Sequence, residues 1–584
     1  MKRKLLNFAV SAALGAAAFG AQAVDFAPID PSVDYTVYFS GATASAQFVR
    51  NSMIDNVCDP NGGLSGKDIT VYQKDADDWV LICDLKGAVG ASTVRAIKQG
   101  GGSGDGTTPI SQPAASPLQY PIPTVAFNPG TACTAAPVTT QTGAGTAFRL
   151  YNACNIPNQP LSGGDIGTSD VEPKLFFDVN TPSTGIAFTA ADSAVLDVKP
   201  LAGLGFGIPM TTGLRNALQA LQFPVSSPCH PNNGSWNTLL PTNVDINGDG
   251  VAELVDVARV ASGTKNPVAD VSPSLGTARV ADSEQCMPNL TSAEVAGMLT
   301  GRLTRWTQIQ RNGTTLVQAA TAAGLPVPAT SAVPALNHQR IAVCRRNDGS
   351  GTQAQLNAFF LKRPCMKVGD TITAEAPLNP GANTCSYTGQ SLVCSNRGSS
   401  EVDRCLNDLD AGNTNTSGLF GGTGPLGPRF AWAIGVQSTE KNPNLGFRYR
   451  FAKVDGLAPS IKNVYLADYT DHYEGTCQIR KDNSSIDPNV VPSELRAIFN
   501  NACAAGPADV FDTNLNFLHP WGVGGWLSVP LAATGGATPD APLTAAGLMD
   551  PNDPKPVSTW TYRGESCSAP VVFDPVNATR EGDL

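Results

Sequence analysis

Residues 345–352, RRNDGSGT, combine the groups that can capture a small tetrahedral oxyanion. The apolar run at 341–343 predicts a strand before them, and Leu356, Phe359 and Phe360 at helical spacing predict a helix after them. A Gly-Ser-Gly-Thr turn that opens a helix points backbone N–H groups and hydroxyls at one spot, where the helix dipole favours negative charge. The segment therefore predicts an anion site, although a capped turn with solvated arginines explains the same residues.

Four residues of this segment are candidate ligands of the anion. Arg346 offers a forked donor that stays charged at physiological pH. Ser350, Gly351 and Thr352 offer backbone N–H groups, and the serine and the threonine add hydroxyls. The chemistry that these groups predict is capture by hydrogen bonds.

Three earlier segments repeat the pattern of a predicted strand followed by small polar residues. Thr43 follows strand 33–39, Ser103 lies in the glycine-rich stretch 99–106, and Asp170 follows a Gly-Thr-Ser turn. The glycine-rich stretch lacks the Gly-Lys-Ser/Thr of a Walker loop and the βαβ context of a dinucleotide site. Taken singly, the three segments are also explained by a helix cap, a flexible turn and a solvated turn.

Residues 245–256, DINGDGVAELVD, carry a different chemistry. Their oxygen ligands have the spacing of an EF-hand or dockerin calcium loop, which ends here in Asp rather than Glu. The expected ligands, with Val251 acting through its carbonyl oxygen, are Asp245, Asn247, Asp249, Val251, Glu253 and Asp256. We expect one structural Ca²⁺, because exported proteins meet steady, high calcium.

The N-terminus has the pattern of a secretory signal peptide. Basic residues at 2–4 precede an apolar stretch at 5–19 and the small-residue site Ala21-Gln22-Ala23, which predicts cleavage after Ala23. No cysteine follows this site, so a lipid anchor is not expected, and no later run is long and apolar enough to span a bilayer. We therefore expect an exported protein, periplasmic or secreted.

Composition bounds the class of protein. The 584 residues favour about two to four domains, and a hydrophobic content of 42% is ample for large cores. Removal of the basic signal residues takes the formal net charge from −10 to −13, which argues against nucleic acid or an anionic membrane as partner. A small-anion site is not excluded, because local N–H dipoles form such a site.

Fourteen cysteines in an exported chain without C-x-x-C spacing favour disulfides over metal clusters. The expected pairs, chosen because they are close in sequence, are Cys58 with Cys83, Cys133 with Cys154, Cys385 with Cys394, and Cys477 with Cys503. Spacing alone leaves the connectivity open.

The elements that would position these groups alternate with long loops. Residues 204–210 predict an apolar strand that crosses between two lobes. Residues 290–309 predict a helix with a turn, in which a Thr291–Glu294 capping box opens the helix and Gly301 stops it. Further strands are expected at 429–436 and 447–454 and a helix at 495–502. Residues 107–160 and 365–399 are expected to be disulfide-tied loops, and 218–288 an insertion.

In this order the motifs resemble the substrate-binding proteins of high-affinity phosphate ABC transporters, including their secreted DING-type relatives. The matching stretches are Ser40-Gly-Ala-Thr43, Gln99-Gly-Gly-Gly-Ser103, Gly167-Thr-Ser-Asp170, residues 290–306, Arg346-Asn-Asp-Gly-Ser350-Gly-Thr352, Ala433-Ile-Gly435-Val and Val454-Asp-Gly456-Leu-Ala-Pro-Ser460. The resemblance implies an α/β, two-lobed, type II periplasmic-binding-protein-like fold with large disulfide-tied insertions.

The domain boundaries that the resemblance implies begin with a signal peptide at 1–23. The first part of lobe 1 would span 24–205, and lobe 2 would span 206–464, with the insertion 218–288 carrying the calcium loop. Residues 465–584 would return to lobe 1 and form a C-terminal tail.

The resemblance also assigns roles within the site. The implied donors to the anion are Thr43, Ser103, Arg346, Ser350, Gly351 and Thr352. Asp170 would accept a hydrogen bond from a protonated phosphate oxygen, which fully ionised sulfate cannot donate. The sequence departs from the family where Ala44 replaces an aromatic residue and where Asp105 adds a negative charge near Ser103.

The implied function is an exported, non-enzymatic binding protein that captures inorganic phosphate, or a similar oxyanion, for ABC-type uptake, with a transporter permease as a further partner. The alternative is a calcium-binding surface or matrix protein that uses the retained fold for adhesion or assembly; its support is the insertions, the cysteines and the calcium motif. An exported hydrolase has less support, because the four histidines are scattered and no G-x-S-x-G motif is present.

Chelation tests the predicted calcium loop. A metal that binds only the native state stabilises it by mass action, so EDTA should lower the melting temperature and added Ca²⁺ should restore it. Thermal denaturation with metal analysis of the purified protein makes the measurement. Unchanged melting with no copurifying metal would reduce residues 245–256 to a turn.

Overall fold

A computed structural model gives the structure of residues 33–503, apart from 44, 63–67, 76, 116, 124–126, 135, 143–144, 182–185, 239–278, 331–338, 366–375, 382, 413–429, 440–446, 460–462 and 465–467. Beyond residue 503 it describes four short strands. The predicted signal peptide and the predicted calcium loop lie outside the described residues.

The described chain is a mixed α/β fold. Its strands are β1 (Tyr35–Ala42), β2 (Thr70–Gln73), β3 (Trp79–Asp84), β4 (Thr93–Gly101), β5 (Pro117–Pro121), β6 (Val138–Gln141), β7 (Ala147–Tyr151), β8 (Asn158–Ser162), β9 (Ile166–Ser169), β10 (Leu196–Gly207), β11 (Pro209–Thr211), β12 (Asn289–Leu290), β13 (Gln310–Arg311), β14 (Thr314–Thr315), β15 (Ala342–Arg346), β16 (Cys385–Thr388), β17 (Ser391–Asn396), β18 (Ala433–Gly435), β19 (Gln437–Ser438), β20 (Tyr449–Phe451), β21 (Lys453–Val454), β22 (His472–Arg480), β23 (Trp526–Leu527), β24 (Trp560–Thr561), β25 (Val571–Phe573) and β26 (Glu581–Asp583). Its α-helices are α1 (Ala46–Ser52), α2 (Thr108–Ser111), α3 (Pro129–Ala132), α4 (Ala190–Ala194), α5 (Thr212–Gln222), α6 (Ser292–Leu299), α7 (Leu316–Ala322), α8 (Gly351–Leu361), α9 (Ser399–Ala411) and α10 (Pro492–Ala502). Within these ranges no helix is both long and apolar enough to cross a bilayer.

The larger sheet has eleven strands in the order β19-β10-β22-β9-β1-β4-β3-β2-β7-β6, with β23 also paired to β10. Its centre is parallel: β1 pairs with β4 on one side, where Ala42 faces Gly101, and with β9 on the other, where Gly41 faces Thr168. Because parallel neighbours end at the same edge, the loops after β9, β1 and β4 start side by side. We call this sheet and the helices packed on it lobe 1.

The smaller sheet has six strands in the order β16-β17-β15-β18-β11-β20. Here β15 is parallel to both β17 and β18, and Arg346 at its end faces Asn396. The predicted anion segment therefore leaves the middle of this sheet at its carboxyl edge. We call this sheet and its helices lobe 2.

Long strands connect the two lobes. β10 belongs to the larger sheet and continues after one residue into β11 of the smaller sheet, as the apolar run at 204–210 predicts. The chain returns through β18 and β19, because β19 pairs with β10. β22 then lies antiparallel between β10 and β9, which joins the first crossing strand to the centre of the lobe 1 sheet.

Each lobe has its own apolar core, and α8 packs against both. Ala354 and Ala358 on one side of α8 belong to the core of lobe 1, whereas Leu356, Phe360 and Leu361 belong to the core of lobe 2. Every α8 residue except Phe359 is buried. A helix that is buried on both sides has no polar face turned to solvent. This explains why apolar and polar residues do not separate onto opposite faces of α8.

The structure confirms the four predicted disulfides and adds two. The predicted pairs are Cys58–Cys83, Cys133–Cys154, Cys385–Cys394 and Cys477–Cys503. Cys229–Cys286 closes the base of the predicted insertion, and Cys344–Cys405 ties β15 to α9. Cys365 is also disulfide-bonded, and no free cysteine occurs among the described residues.

Two segments predicted to be loops contain sheet strands. Residues 365–399 include β16 and β17, and β17 lies next to β15 in the smaller sheet. Residues 107–160 include β6 and β7, which extend the larger sheet at one edge. The prediction was wrong in both places, because Pro, Gly and Thr dominate the flanking turns and obscure short apolar runs such as Leu392–Cys394.

The helix predicted within residues 290–309 begins and ends where the sequence indicates. α6 ends at Leu299, and Gly301 follows with a φ of +72°. The capping box is present: Thr291 Oγ1 accepts from the Glu294 N–H at 3.1 Å, and the Thr291 N–H donates to Glu294 Oε2 at 3.0 Å. Both ends of this helix were therefore predicted correctly from the sequence.

A buried ion cluster attaches the end of the predicted insertion to lobe 2. Asp282 Oδ1 accepts from Arg215 on α5 and from Arg450 on β20, and Oδ2 accepts from the Arg279 N–H at 3.2 Å. All three charged side chains are buried. Burial alone raises the pKa of Asp282, but the two arginines outweigh it and hold the pKa below its ordinary value.

Asp282→Asn should destabilise lobe 2 strongly. Breaking a buried charge pair leaves uncompensated charge in the interior, which costs about 3–5 kcal/mol. Asp68→Asn is the matched control, because the Asp68 side chain is 74% exposed in its pair with Arg149 and surface pairs contribute about 0–1 kcal/mol. Chemical denaturation of both variants measures the difference, and equal stabilities would contradict the assigned role.

The same cluster should make stability depend on pH. The folded-state pKa of Asp282 lies below its unfolded value of about 3.9. Its contribution is therefore complete above that pH and is lost as pH falls through the folded pKa. The wild type should lose this component as pH falls below about 4, and Asp282→Asn should lack it. If the unfolding free energies of the two proteins changed with pH in parallel, Asp282 would not be the source of the pH dependence.

Candidate functional site

Three predicted site residues lie where neighbouring parallel strands of lobe 1 end. β1 ends at Ala42 just before Thr43, β4 ends at Gly101 two residues before Ser103, and β9 ends at Ser169 just before Asp170. Gly41 makes this junction possible: its φ is +106°, and a Cβ there would lie 2.0 Å from the Thr168 carbonyl oxygen. Only glycine fits such a position.

Ser103 and Asp170 are joined by two hydrogen bonds. Ser103 Oγ donates to Asp170 Oδ2 at 3.0 Å and accepts from the Asp170 N–H at 3.1 Å. Ser103 is buried, and Asp170 is half-buried. The Ser103 hydroxyl bonds both the side chain and the backbone N–H of Asp170. These two bonds fix the carboxylate at the edge of the sheet.

The turn before α8 lies directly against this pair. A Cβ on Gly351 would lie 2.5 Å from Ser103 Oγ and 2.8 Å from Asp170 Cβ. The Gly104 N–H donates to the Gly349 carbonyl oxygen at 2.7 Å. The predicted anion segment of lobe 2 therefore contacts Ser103 and Asp170 of lobe 1, and the backbones of the two lobes are close enough to hydrogen-bond.

The N-terminus of α8 provides buried donors at this contact. Ser350 is the N-cap residue, and Gly351 and Thr352 form the first turn. Ser350 is 4% exposed, and its Oγ has no hydrogen-bond partner among the described residues. A buried hydroxyl without a partner is costly, so a ligand that bonds to it would remove a penalty of about 1–3 kcal/mol.

Arg346 is buried at the end of β15. Its guanidinium donates to Ser399 Oγ at 2.7 Å and to the Arg397 carbonyl oxygen at 2.9 Å. Arg397 lies in the turn between β17 and α9, and Ser399 is the first residue of α9. The neighbouring Arg345 has a structural role, because it pairs with Asp348 and donates to the Leu378 carbonyl oxygen at 2.7 Å.

The structure brings together Ser103, Asp170 and Gly351, with Ser350 and Thr352 adjoining them in the chain. Arg346 lies in lobe 2, where its described guanidinium bonds run to the turn before α9. Thr43 is exposed and leads into α1, and its carbonyl oxygen accepts from the Ala46 N–H at 3.1 Å.

A chain of buried amides that the sequence did not indicate joins the two lobes beneath the site. Gln353 accepts from the Arg346 N–H at 3.1 Å and donates to Asn357 Oδ1 at 3.0 Å. Asn357 then donates to Asn180 Oδ1 of lobe 1 at 2.5 Å. The Asn180 carbonyl oxygen accepts from the Gly349 N–H at 3.2 Å. Isolated amides far apart in sequence gave no pattern from which this chain could be predicted.

Asp105 stabilises the loop that holds Ser103. It is half-buried, and it accepts from the Gly102 N–H at 3.2 Å. Burial raises the pKa of Asp105, while the Gly102 N–H and the charges of Lys98 and Arg397 act in the opposite direction. The Asp105 carboxylate, which the sequence analysis noted as an unusual negative charge near Ser103, thus caps the tight turn Ser103–Gly106.

Lys98 is a buried charged residue that the sequence analysis did not single out. It lies on β4 with 0% exposure, five residues before Ser103. It occupies the same face of the strand as Val94 and Ala96, which belong to the apolar core. A lysine in register with core residues, just before a glycine-rich loop, was the signal that could have revealed it.

Metal chemistry finds no support in the described part of the chain. There, no three side chains among His, Cys, Asp and Glu are grouped so that they could hold an ion. What the arrangement can do is bind: it offers hydroxyls, N–H groups and one carboxylate around a helix N-terminus.

Comparison with known proteins gives a distant likeness in fold. No protein-family model matches the chain, and no curated sequence matches it. A solved structure from Clostridium perfringens, described as a candidate phosphate ABC transporter substrate-binding protein with bound phosphate, is 12% identical over 83% of this chain and 98% of its own, with a TM-score of 0.32.

Two further solved structures are more distant. An ABC-type phosphate transport receptor from Vibrio cholerae is 14% identical over 55% of this chain and 69% of its own, with a TM-score of 0.23. PstS from Borrelia burgdorferi is 10% identical over 54% of this chain and 67% of its own, with a TM-score of 0.20. Similarities this low carry no statement about function or about individual residues.

Gly351→Ala should disrupt the contact between the lobes. The added methyl would overlap Ser103 and Asp170, and overpacking of this kind costs about 1–3 kcal/mol. Gly87→Ala is the matched control, because a Cβ there meets nothing within 4 Å. Thermal denaturation and small-angle scattering should show a less stable, more open Gly351→Ala protein. Identical profiles for the two variants would mean that the lobes do not meet at Gly351.

Proposed function

We propose that this chain is an exported binding protein that captures phosphate, or a similar tetrahedral oxyanion, between its two lobes for uptake by an ABC-type transporter. One observation carries this proposal: the N-terminus of α8, with the unbonded Ser350 hydroxyl, lies buried against Ser103 and Asp170. Helix N-termini favour anions, and buried hydroxyls need partners.

Capture would proceed by closure of the lobes on the anion. Thr43 and Ser103 would donate from lobe 1, and Ser350, Gly351 and Thr352 would donate from the N-terminus of α8. Arg346 would add a charged fork once its bonds to the turn before α9 rearrange. Burial of the site strengthens each of these hydrogen bonds, because the local dielectric is low.

Asp170 would select for an anion that carries a proton. A carboxylate beside a bound dianion is unfavourable unless a proton lies between the two. HPO₄²⁻ supplies that proton and SO₄²⁻ does not at neutral pH, so the same carboxylate attracts one anion and repels the other. On capture, the Ser103 hydroxyl would turn its single proton from Asp170 to the anion, while its oxygen would still accept from the Asp170 N–H and hold Asp170 in position.

The exported location and the calcium ion belong to the same proposal. Structural disulfides form and persist in oxidising compartments, so the six described pairs support export. We place cleavage of the signal peptide after Ala23 and a structural Ca²⁺ in the loop 245–256.

Arg346→Ala should weaken phosphate binding by about 2–5 kcal/mol, because it removes a charge-assisted fork from a desolvated site. The control is Arg149→Ala, which removes an arginine that is 45% exposed on the same chain. Calorimetric titration with phosphate compares both variants with wild type, after circular dichroism has shown that each is folded. Unchanged affinity in Arg346→Ala would remove Arg346 from the site.

Asp170→Asn should weaken phosphate binding modestly and narrow its advantage over sulfate. A hydrogen bond to a charged partner contributes about 1.5–3 kcal/mol, and an unpaired buried charge costs more, so wild type should disfavour sulfate by several kcal/mol. An amide can donate to either anion, which removes the discrimination. Paired titrations with the two anions at neutral pH make the test. A wild type that binds sulfate as well as phosphate would show that Asp170 is not the selector.

A further inference from the structure

The proposed anion site has more nearby negative charge than its arginine can offset. Asp170 borders the site, Asp105 caps the Ser103 turn, and Asp77 and Asp78 lie in the turn before β3. Asp78 Oδ1 accepts from the Gly100 N–H at 2.5 Å, which places it at the end of β4. A dianion that entered this environment would meet carboxylates from three separate segments of lobe 1.

Lys98 lies among these carboxylates without reaching solvent. Its ammonium donates to the Gly41 carbonyl oxygen at 3.0 Å and to the Gln99 carbonyl oxygen at 2.7 Å. Gly41 is the second-last residue of β1, two residues before Thr43, and Gln99 lies on β4 four residues before Ser103. One cation therefore fastens the two strand ends from which both predicted lobe 1 donors emerge.

We propose that Lys98 is a positioning residue of the anion site, whose buried positive charge holds the ends of β1 and β4 and makes the site able to accept a dianion. The inference rests on the proposed function, since it concerns the same ligand. Lys98 does not touch the anion in this account. It acts through the backbone of Gly41 and Gln99 and through the field that it adds beneath Asp170 and Asp105.

A consequence is that anion affinity should depend on pH in the alkaline range. Burial lowers the pKa of Lys98 to about 8, although the charges of Asp78, Asp77, Asp105 and Asp170 act to raise it. The other charge described near this group is Arg397, which acts on Asp105. Inorganic phosphate is almost entirely a dianion from about pH 8 upward, so a change in affinity above that pH would come from the protein.

The direction of the effect follows from linkage. A bound anion favours the protonated amine, so affinity should be complete below the Lys98 pKa and should fall as the amine deprotonates. If only the protonated form binds, phosphate affinity falls about 16-fold from about pH 8 to about pH 9.5. Lys98→Met, which lacks the charge, should bind about tenfold to a hundredfold more weakly at pH 7 and should show no such fall.

The test is calorimetric titration of the full-length exported protein with inorganic phosphate across this pH range. The variants are Lys98→Met and the control Lys481→Met, which removes an exposed lysine that also donates to a backbone carbonyl in lobe 1, that of Ala194. Circular dichroism at each pH checks folding. Lys481→Met should keep both the affinity and the pH profile of wild type.

The outcomes separate this inference from the proposed function. If wild type binds phosphate and folded Lys98→Met binds equally well with the same profile, the role of Lys98 is refuted and the phosphate site stands. If wild type does not bind phosphate at any pH, both fall. If Lys98→Met does not fold, the wild-type profile decides: a flat profile to about pH 9.5 overturns the proposal, and a loss of about tenfold or more supports it.

Discussion

The close approach of two backbones from different lobes is the constraint on which the site depends. Gly351 at the start of α8 lies where any Cβ would overlap Ser103 and Asp170, and the Gly349 carbonyl oxygen accepts from the Gly104 N–H at 2.7 Å. This approach is possible only because parallel strands end at a common edge in each sheet, so that both sets of loops face the same gap. The helix packed between the two cores and the amide chain through Asn180 hold that arrangement beneath the site.

Charge is the second determinant of the site. Hydrogen bonds hold the half-buried Asp105 and the buried Arg346 and Lys98. These groups hold turns and strand ends, so the geometry of the site and its electrostatics come from the same residues. An anion site in an acidic protein is physically reasonable under these conditions, because the local field depends on groups within a few ångströms and not on the net charge of −10.

Local sequence was sufficient to predict features that depend on local spacing. The strand before residues 345–352, the helix after them, the Thr291–Glu294 capping box and four disulfides between nearby cysteines are of this kind. Contacts between distant segments could not be predicted in the same way. Asn180 and Asn357 are 177 residues apart, and nothing in either segment indicates the other. β17 was taken as part of a loop because its role follows from pairing with β15, and Lys98 was missed because its partners are backbone carbonyls.

Where a tetrahedral anion binds is the most direct test of this account. Arsenate has the shape and charge of phosphate, and anomalous scattering from arsenic locates it in a crystal without reference to any model of the ligand. The account predicts one anomalous peak between the two lobes, within hydrogen-bonding distance of Ser103 Oγ, Ser350 Oγ and the Gly351 N–H. A peak elsewhere, or no peak from crystals grown with arsenate, would contradict the central claim that these loops form an oxyanion site.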